Sequence, residues 1–133
     1  MTTTSTILFL CPHAAAKSVL AMTYFADLAS KAGLQMSVCN AGTEPDPTIN
    51  PAVERYLKNE GFDLSGFVPG LLTAADLDAA DIIVSMGCID AEQAPAGTRF
   101  LDWSDVPMLS DGFQIARNMI HAHVVELVGE LKL

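Results

Sequence analysis

The sequence predicts an α/β domain, a doubly wound four-stranded parallel sheet flanked by helices. Two observations predict it: a short, continuous apolar run at Ile7–Leu10 with a largely apolar segment at Asp81–Met86, and helical patterning between and after them. Apolar runs without alternation suit strands covered on both faces, and strands separated by helices imply parallel pairing. Ligands of such sheets are expected at the carboxyl ends of the strands.

The elements follow in order. Ile7-Leu8-Phe9-Leu10 reads as a first, central strand ending at Cys11. After Pro12 and three alanines comes a helix with Leu20, Tyr24 and Leu28 on one face and Gly33 as its stop. Met36–Cys39 reads as a second strand, closed by Asn40-Ala41-Gly42-Thr43; Cys39, alternating with Met36 and Val38, is expected in the core. A proline-rich loop leads to a helix opening at Asn50-Pro51 and ending at Gly61. Positions 63–72 are expected as loop, and Thr73 as the N-cap of a short helix, Ala74–Ala80. Asp81–Met86 is the third strand, Arg99-Phe100-Leu101 a short fourth, and Asp111–Leu131 the last helix, with Phe113, Ala116, Ile120, Val124 and Leu127 inward.

At 133 residues, half of them apolar, the whole chain (1–133) is expected to form one domain and to bury about two-thirds of its unfolded surface. No apolar run approaches the roughly 20 residues of a membrane span. The first residues, Met1-Thr-Thr-Thr-Ser, hold no basic residue, and no leader is expected. Three cysteines without framework spacing argue for a reducing compartment, so a cytoplasmic location is expected. A net charge of −9 repels nucleic acid and anionic membranes, so neither is an expected partner. An anionic ligand must be captured locally.

The loop after the first strand offers such a place. A short run of small residues between a strand end and a helix start brings backbone N–H groups together, and the helix dipole adds positive potential. That field favours a thiolate at Cys11, a candidate nucleophile. Lys17 falls in the first helical turn, where its ammonium can fold over a bound oxyanion, and Ser18 can donate to the thiolate. The oxyanion-binding candidates are therefore Pro12, His13, Ala14, Ala15, Ala16 and Lys17. A buried cysteine ending a strand is also common as plain core. His13 reads as a packing or solvent-facing residue rather than a base. His121 and His123 lie two apart on a helix, on different faces, and no metal site or cofactor is expected.

Cys11-Pro-His-Ala-Ala-Ala-Lys17-Ser18 resembles the Cys-x5-Arg-Ser loop of the low-molecular-weight tyrosine phosphatases and thioredoxin-coupled arsenate reductases. Ala41-Gly42-Thr43, Asn50-Pro51, Gly61-Phe-Asp-Leu-Ser65 and Asp81–Met86 resemble later landmarks of that superfamily, over roughly residues 6–130. Met86-Gly87-Cys88, Asp90-Ala91 and Trp103 are closer to the reductase branch. The resemblance implies a cysteine-dependent phosphatase or arsenate reductase, acting on phosphate, arsenate or a phosphorylated substrate through a covalent Cys11 intermediate. A catalytically degenerate oxyanion-binding or redox-sensing member is the alternative.

The match departs from the family in four places. Lys17 replaces the loop arginine, exchanging a bidentate fork for a point charge. His13-Ala14 replaces a Gly-Asn pair, so positive φ angles are harder to reach. Trp103-Ser-Asp105-Val-Pro107-Met108 replaces the segment with the Asp-Pro general acid, leaving Asp105 as the candidate acid if the loop is re-registered. Cys88 resembles the first resolving cysteine of the reductases, with a structural role equally open; Glu92 stands where the second would be. The reductase reading implies thioredoxin or a small thiol as electron donor.

Overall fold

The computed structural model describes residues 5–132. The reading that the chain lacks a leader concerns positions 1–4, outside that range. Four parallel strands, β1 (Ser5–Leu10), β2 (Met36–Ala41), β3 (Ile82–Ser85) and β4 (Arg99–Asp102), form one sheet in the order β2-β1-β3-β4. Four helices accompany them: α1 (Lys17–Lys31), α2 (Pro51–Asn59), α3 (Ala74–Ala79) and α4 (Phe113–Leu131). No described helix is long and apolar enough to cross a membrane.

The period-2 alternation of β1 divides the core between the two faces of the sheet. Ile7, Phe9 and Cys11 join Val19, Leu20, Tyr24 and Phe25 of α1 and Ala116, Ile120 and Val124 of α4. Leu8 and Leu10 pack on the other face with Ala41 and Ile83, against Leu72 and Leu77. β3 is buried throughout, Ile82, Ile83 and Val84 as apolar core and Ser85 with its hydroxyl donating to the Ile89 carbonyl. Caps fix two of the helix starts. Asn50 accepts from the backbone N–H groups of Ala52 and Val53 ahead of Pro51, and Thr73 and Asp76 form a reciprocal capping box.

Two expectations are corrected. Cys39 is exposed, not core. The alternation that turns Met36 and Val38 toward α1 turns Cys39 to the opposite face, near Asp76 of α3, a helix with no buried residue. Its thiol tucks against the Ile7 carbonyl, 3.6 Å away, and that burial, with Asp76 adding, pushes the thiol's pKa up. The last helix begins at Phe113 rather than Asp111, because Leu109–Asp111 forms a separate 3-10 turn before Gly112.

One polar clamp ties three helices together. Arg117 of α4 donates to the Tyr24 hydroxyl of α1 at 3.0 Å and to Glu60, just past α2, at 2.9 Å; Tyr24 itself donates to Glu60. Arg117 also lies 5.0 Å from the Tyr24 ring centroid.

The strand order reverses direction at β1, with β2 on one side and β3 on the other. That switch point opens a crevice at the carboxyl ends of β1 and β3. The Met86 N–H donates to the Leu10 carbonyl at 2.9 Å, so the segments carrying Cys11 and Gly87-Cys88 leave the sheet side by side.

Candidate active site

Cys11 sits at the end of β1 and is 3% exposed. The path of the loop after it is set by one other stretch of chain. The carbonyls of Pro12, His13 and Ala15 accept from the backbone N–H groups of Glu44 (2.8 Å), Asp46 (3.0 Å) and Asn50 (2.9 Å). The Ala14 carbonyl accepts from the Asn40 side chain at 3.2 Å. Four consecutive carbonyls are thus turned outward onto positions 40–50. The N–H groups of His13, Ala15 and Ala16 donate to no acceptor among the described residues. Helix α1 starts directly behind them with no side-chain cap, leaving its first-turn N–H groups and its positive dipole end toward the loop.

Two backbone positions make this path possible. Ala14 adopts φ +53, a left-handed conformation that costs a non-glycine residue on the order of 1 kcal/mol. Its N–H closes onto the Cys11 carbonyl at 3.3 Å. Gly42, beyond β2, lies flat against the loop: a Cβ there would come within 2.5 Å of the Pro12 oxygen and 2.7 Å of the Cys11 oxygen.

A cavity of about 420 Å³ opens above Cys11. Pro12, His13, Ala15, Ala16 and Lys17 line it, whereas Ala14, the sixth oxyanion-binding candidate, is fully buried and outside the wall. Met86, Met108 and Leu109 make the apolar side, and Asp46 and Asn50 the polar rim. His13 is tied down at that rim, its Nδ1 2.9 Å from the Glu44 carbonyl and 3.4 Å from Asp46. Ser18 is fully buried behind the sulfur, its Oγ 3.1 Å from Cys11 Sγ. Among the described residues no group of three or more His, Cys, Asp or Glu is placed to hold a metal.

The model of the low molecular weight phosphotyrosine protein phosphatases matches residues 6–126. The chain belongs to this family. A Halobacterium salinarum protein provisionally named an arsenate reductase is 29% identical, over 92% of this chain and 89% of that one. The thioredoxin-dependent arsenate reductase of Corynebacterium glutamicum superposes with a TM-score of 0.83 at 29% identity. That match covers 97% of this chain but only 62% of the reductase. The tyrosine phosphatase Wzb of Escherichia coli K30, solved with sulphate, shares the fold at a TM-score of 0.77 and 16% identity, with 97% and 99% of the chains covered.

This member of the family differs from its sequence-based expectations in where three side chains point. The Lys17 ammonium lies at the cavity wall but donates to the Val106 carbonyl at 3.4 Å, leaving two of its three hydrogens for a ligand. Asp105 is not part of the wall. Its carboxylate pairs with His123 Nε2 at 3.0 Å, and His123 in turn stacks on Trp103, ring centroids 4.8 Å apart. Cys88 lies in the groove next to the cavity, which shares Gly87 with it; its thiol donates to Thr43 Oγ1 at 3.7 Å. Sequence reasoning missed Asn40 and Gly42 as parts of the site, and Met108 and Leu109 as its wall. Asn40-Ala41-Gly42 was visible only as a strand end, and nothing local signals which face its side chains serve.

Proposed function

We propose that this phosphatase-family protein is a cysteine-dependent enzyme acting on a tetrahedral oxyanion, with arsenate favoured over alkyl phosphate esters. The observation that carries this reading is the outward hold on the carbonyls of residues 12–15, which leaves N–H groups and the α1 N-terminus on the side of the Cys11 thiolate. Such donors stabilise charge developing on the oxygens of a trigonal-bipyramidal transition state. Lys17 adds a cation at the wall.

The preference for arsenate rests on Asp105. An alkyl phosphate needs its leaving oxygen protonated, and the absence of a general acid costs about 10²- to 10⁴-fold. With Asp105 held by His123, and Asp46 the one acid in the wall and already engaged by His13, no free acid faces Cys11 among the described residues. Dihydrogen arsenate carries its own protons: as Cys11 attacks arsenic, one arsenate hydroxyl takes the proton of the other and leaves as water, so no acid from the protein is required. A second thiol then attacks the Cys11 sulfur and forms a disulfide. The sulfur–arsenic bond breaks with its electron pair left on arsenic, which passes from As(V) to As(III). Cys88, thioredoxin or a small thiol can supply that second sulfur.

Turnover of arsenate with thiols and hydrolysis of para-nitrophenyl phosphate are both expected, with alkyl phosphates slower than the aryl ester by about 10²-fold or more. Cys11→Ser removes every activity. Turnover surviving in that variant refutes Cys11 as nucleophile. Failure of both phosphate and arsenate to protect Cys11 from alkylation refutes the oxyanion site.

A further inference from the structure

The loop contains one residue in a backbone conformation its side chain disfavours, and one side chain from another element meets it there. Ala14, at φ +53, is fully buried, so neither water nor a glycine's freedom relieves it. The carbonyls on both sides are held by main-chain N–H groups, but that of Ala14 is held by Asn40 Nδ2. The same nitrogen lies 3.0 Å from Ser18 Oγ, and Ser18 Oγ lies 3.1 Å from Cys11 Sγ.

The chemistry of these groups leaves one arrangement. An amide nitrogen carries two hydrogens and accepts nothing, so both contacts are donations. Turning the amide over would set its oxygen against the Ala14 carbonyl, acceptor facing acceptor. Ser18 Oγ therefore accepts from Asn40 and has one hydrogen and one lone pair left. While Cys11 is a thiol, that lone pair can accept its proton; once Cys11 is a thiolate, the remaining hydrogen points at sulfur. Pairing of Asn40 with Phe9 in the strand register puts its side chain on the α1 face, where Ser18 waits.

We propose that Asn40 is a positioning residue for the Cys11 thiolate: one amide hydrogen holds the strained Ala14 turn, and the other aims the Ser18 hydroxyl at sulfur. This rests on the reading of Cys11 as nucleophile, but it concerns how the thiolate is held rather than what it attacks.

The test is the pH profile of Cys11 alkylation by iodoacetamide, followed by mass spectrometry on the Cys11 peptide. Asn40→Ala moves the midpoint upward by about one pH unit, the value of one ordinary hydrogen bond to the charged form. Asn40→Asp, which offers no donor and repels a thiolate, moves it at least as far. The shift depends on the hydroxyl: in a Ser18→Ala background Asn40→Ala adds nothing further. Ala14→Gly relieves the turn, so in that background Asn40→Ala keeps a folded loop and still shows the shift. A midpoint unmoved by Asn40→Ala, or a shift that persists undiminished without the Ser18 hydroxyl, overturns the proposal. Alkylation requires no turnover. A parent protein inert toward arsenate and phosphate would therefore refute the proposed function and leave this proposal standing, whereas an unmoved midpoint in an active enzyme would do the reverse.

Discussion

Gly42→Ala is the sharpest single test of how the site is built. The glycine has no left-handed φ, so alanine is conformationally acceptable and, through the unfolded chain alone, would stabilise by about 0.4–1 kcal/mol. Sterics oppose this. A Cβ 2.5 Å from the Pro12 oxygen, 2.7 Å from the Cys11 oxygen and 2.9 Å from the Ala14 nitrogen meets only backbone, which cannot swing aside as a side chain can. The loop must retreat by about half an ångström, and overpacking of this kind typically costs about 1–3 kcal/mol. The steric effect wins, for a net loss of about 1–2 kcal/mol. At an ordinary denaturant slope this lowers the urea midpoint by about 0.5–1 M. Reaction suffers more than stability, because misplacing reacting groups by about 1 Å can cost 10²-fold; a loss of about tenfold or more in kcat is expected. Gly70→Ala is the control, since the Gly70 carbonyl accepts from the Gly42 N–H but open space lies where a Cβ would go. Urea denaturation and aryl phosphate kinetics on both variants check the argument. If Gly42→Ala matches Gly70→Ala in both, the loop is not held by this close approach.

Lys17→Arg should tighten phosphate binding by about tenfold, because a guanidinium can keep the Val106 carbonyl contact and still present a fork to the anion; protection of Cys11 from alkylation by phosphate measures it, and unchanged protection would mean that the cavity shape excludes the fork. Asp105→Asn should leave aryl phosphate hydrolysis within about twofold and lower stability by less than about 1 kcal/mol, as expected for an exposed ion pair; a loss of 10²-fold would restore Asp105 as the acid. Burial and the Glu60 carboxylate hold the Tyr24 hydroxyl above the ordinary tyrosine range. The folded state therefore keeps a proton that the unfolded chain gives up near pH 10, and this contribution, intact below that pH, is lost as pH rises further. Denaturation curves at pH 9, 10 and 11 should fall less steeply for Tyr24→Phe than for the parent, and parallel curves would contradict the assignment.

The features legible in the sequence were those encoded by neighbours along the chain. Asn50-Pro51 and Thr73 announce helix starts because a cap acts within three residues. Ile7–Leu10 announces a central strand because burial on both faces leaves no polar position. Cys11, Lys17 and Ser18 were legible as a group for the same reason, all lying within one strand–loop–helix unit. The partners of these groups were not. Whether Asn40 or Cys39 faces α1 depends on the register of β2 against β1, a relation between segments some thirty residues apart. Asp105 was a candidate acid as the carboxylate after Trp103, and only if the loop were re-registered, whereas its position in space is fixed by His123 on α4. Spacing alone carried no information about that pairing.

Three of the four clasps on residues 12–15 run from main chain to main chain and so read no side chain in the segment they hold. The instructions for the loop's shape are written elsewhere, in the stretch from Asn40 to Asn50. The segment proposed to meet the anion can thereby change in composition without losing its path. Pro12-His-Ala-Ala-Ala16 is such a segment: a run with little polar character of its own, its path held by its neighbours.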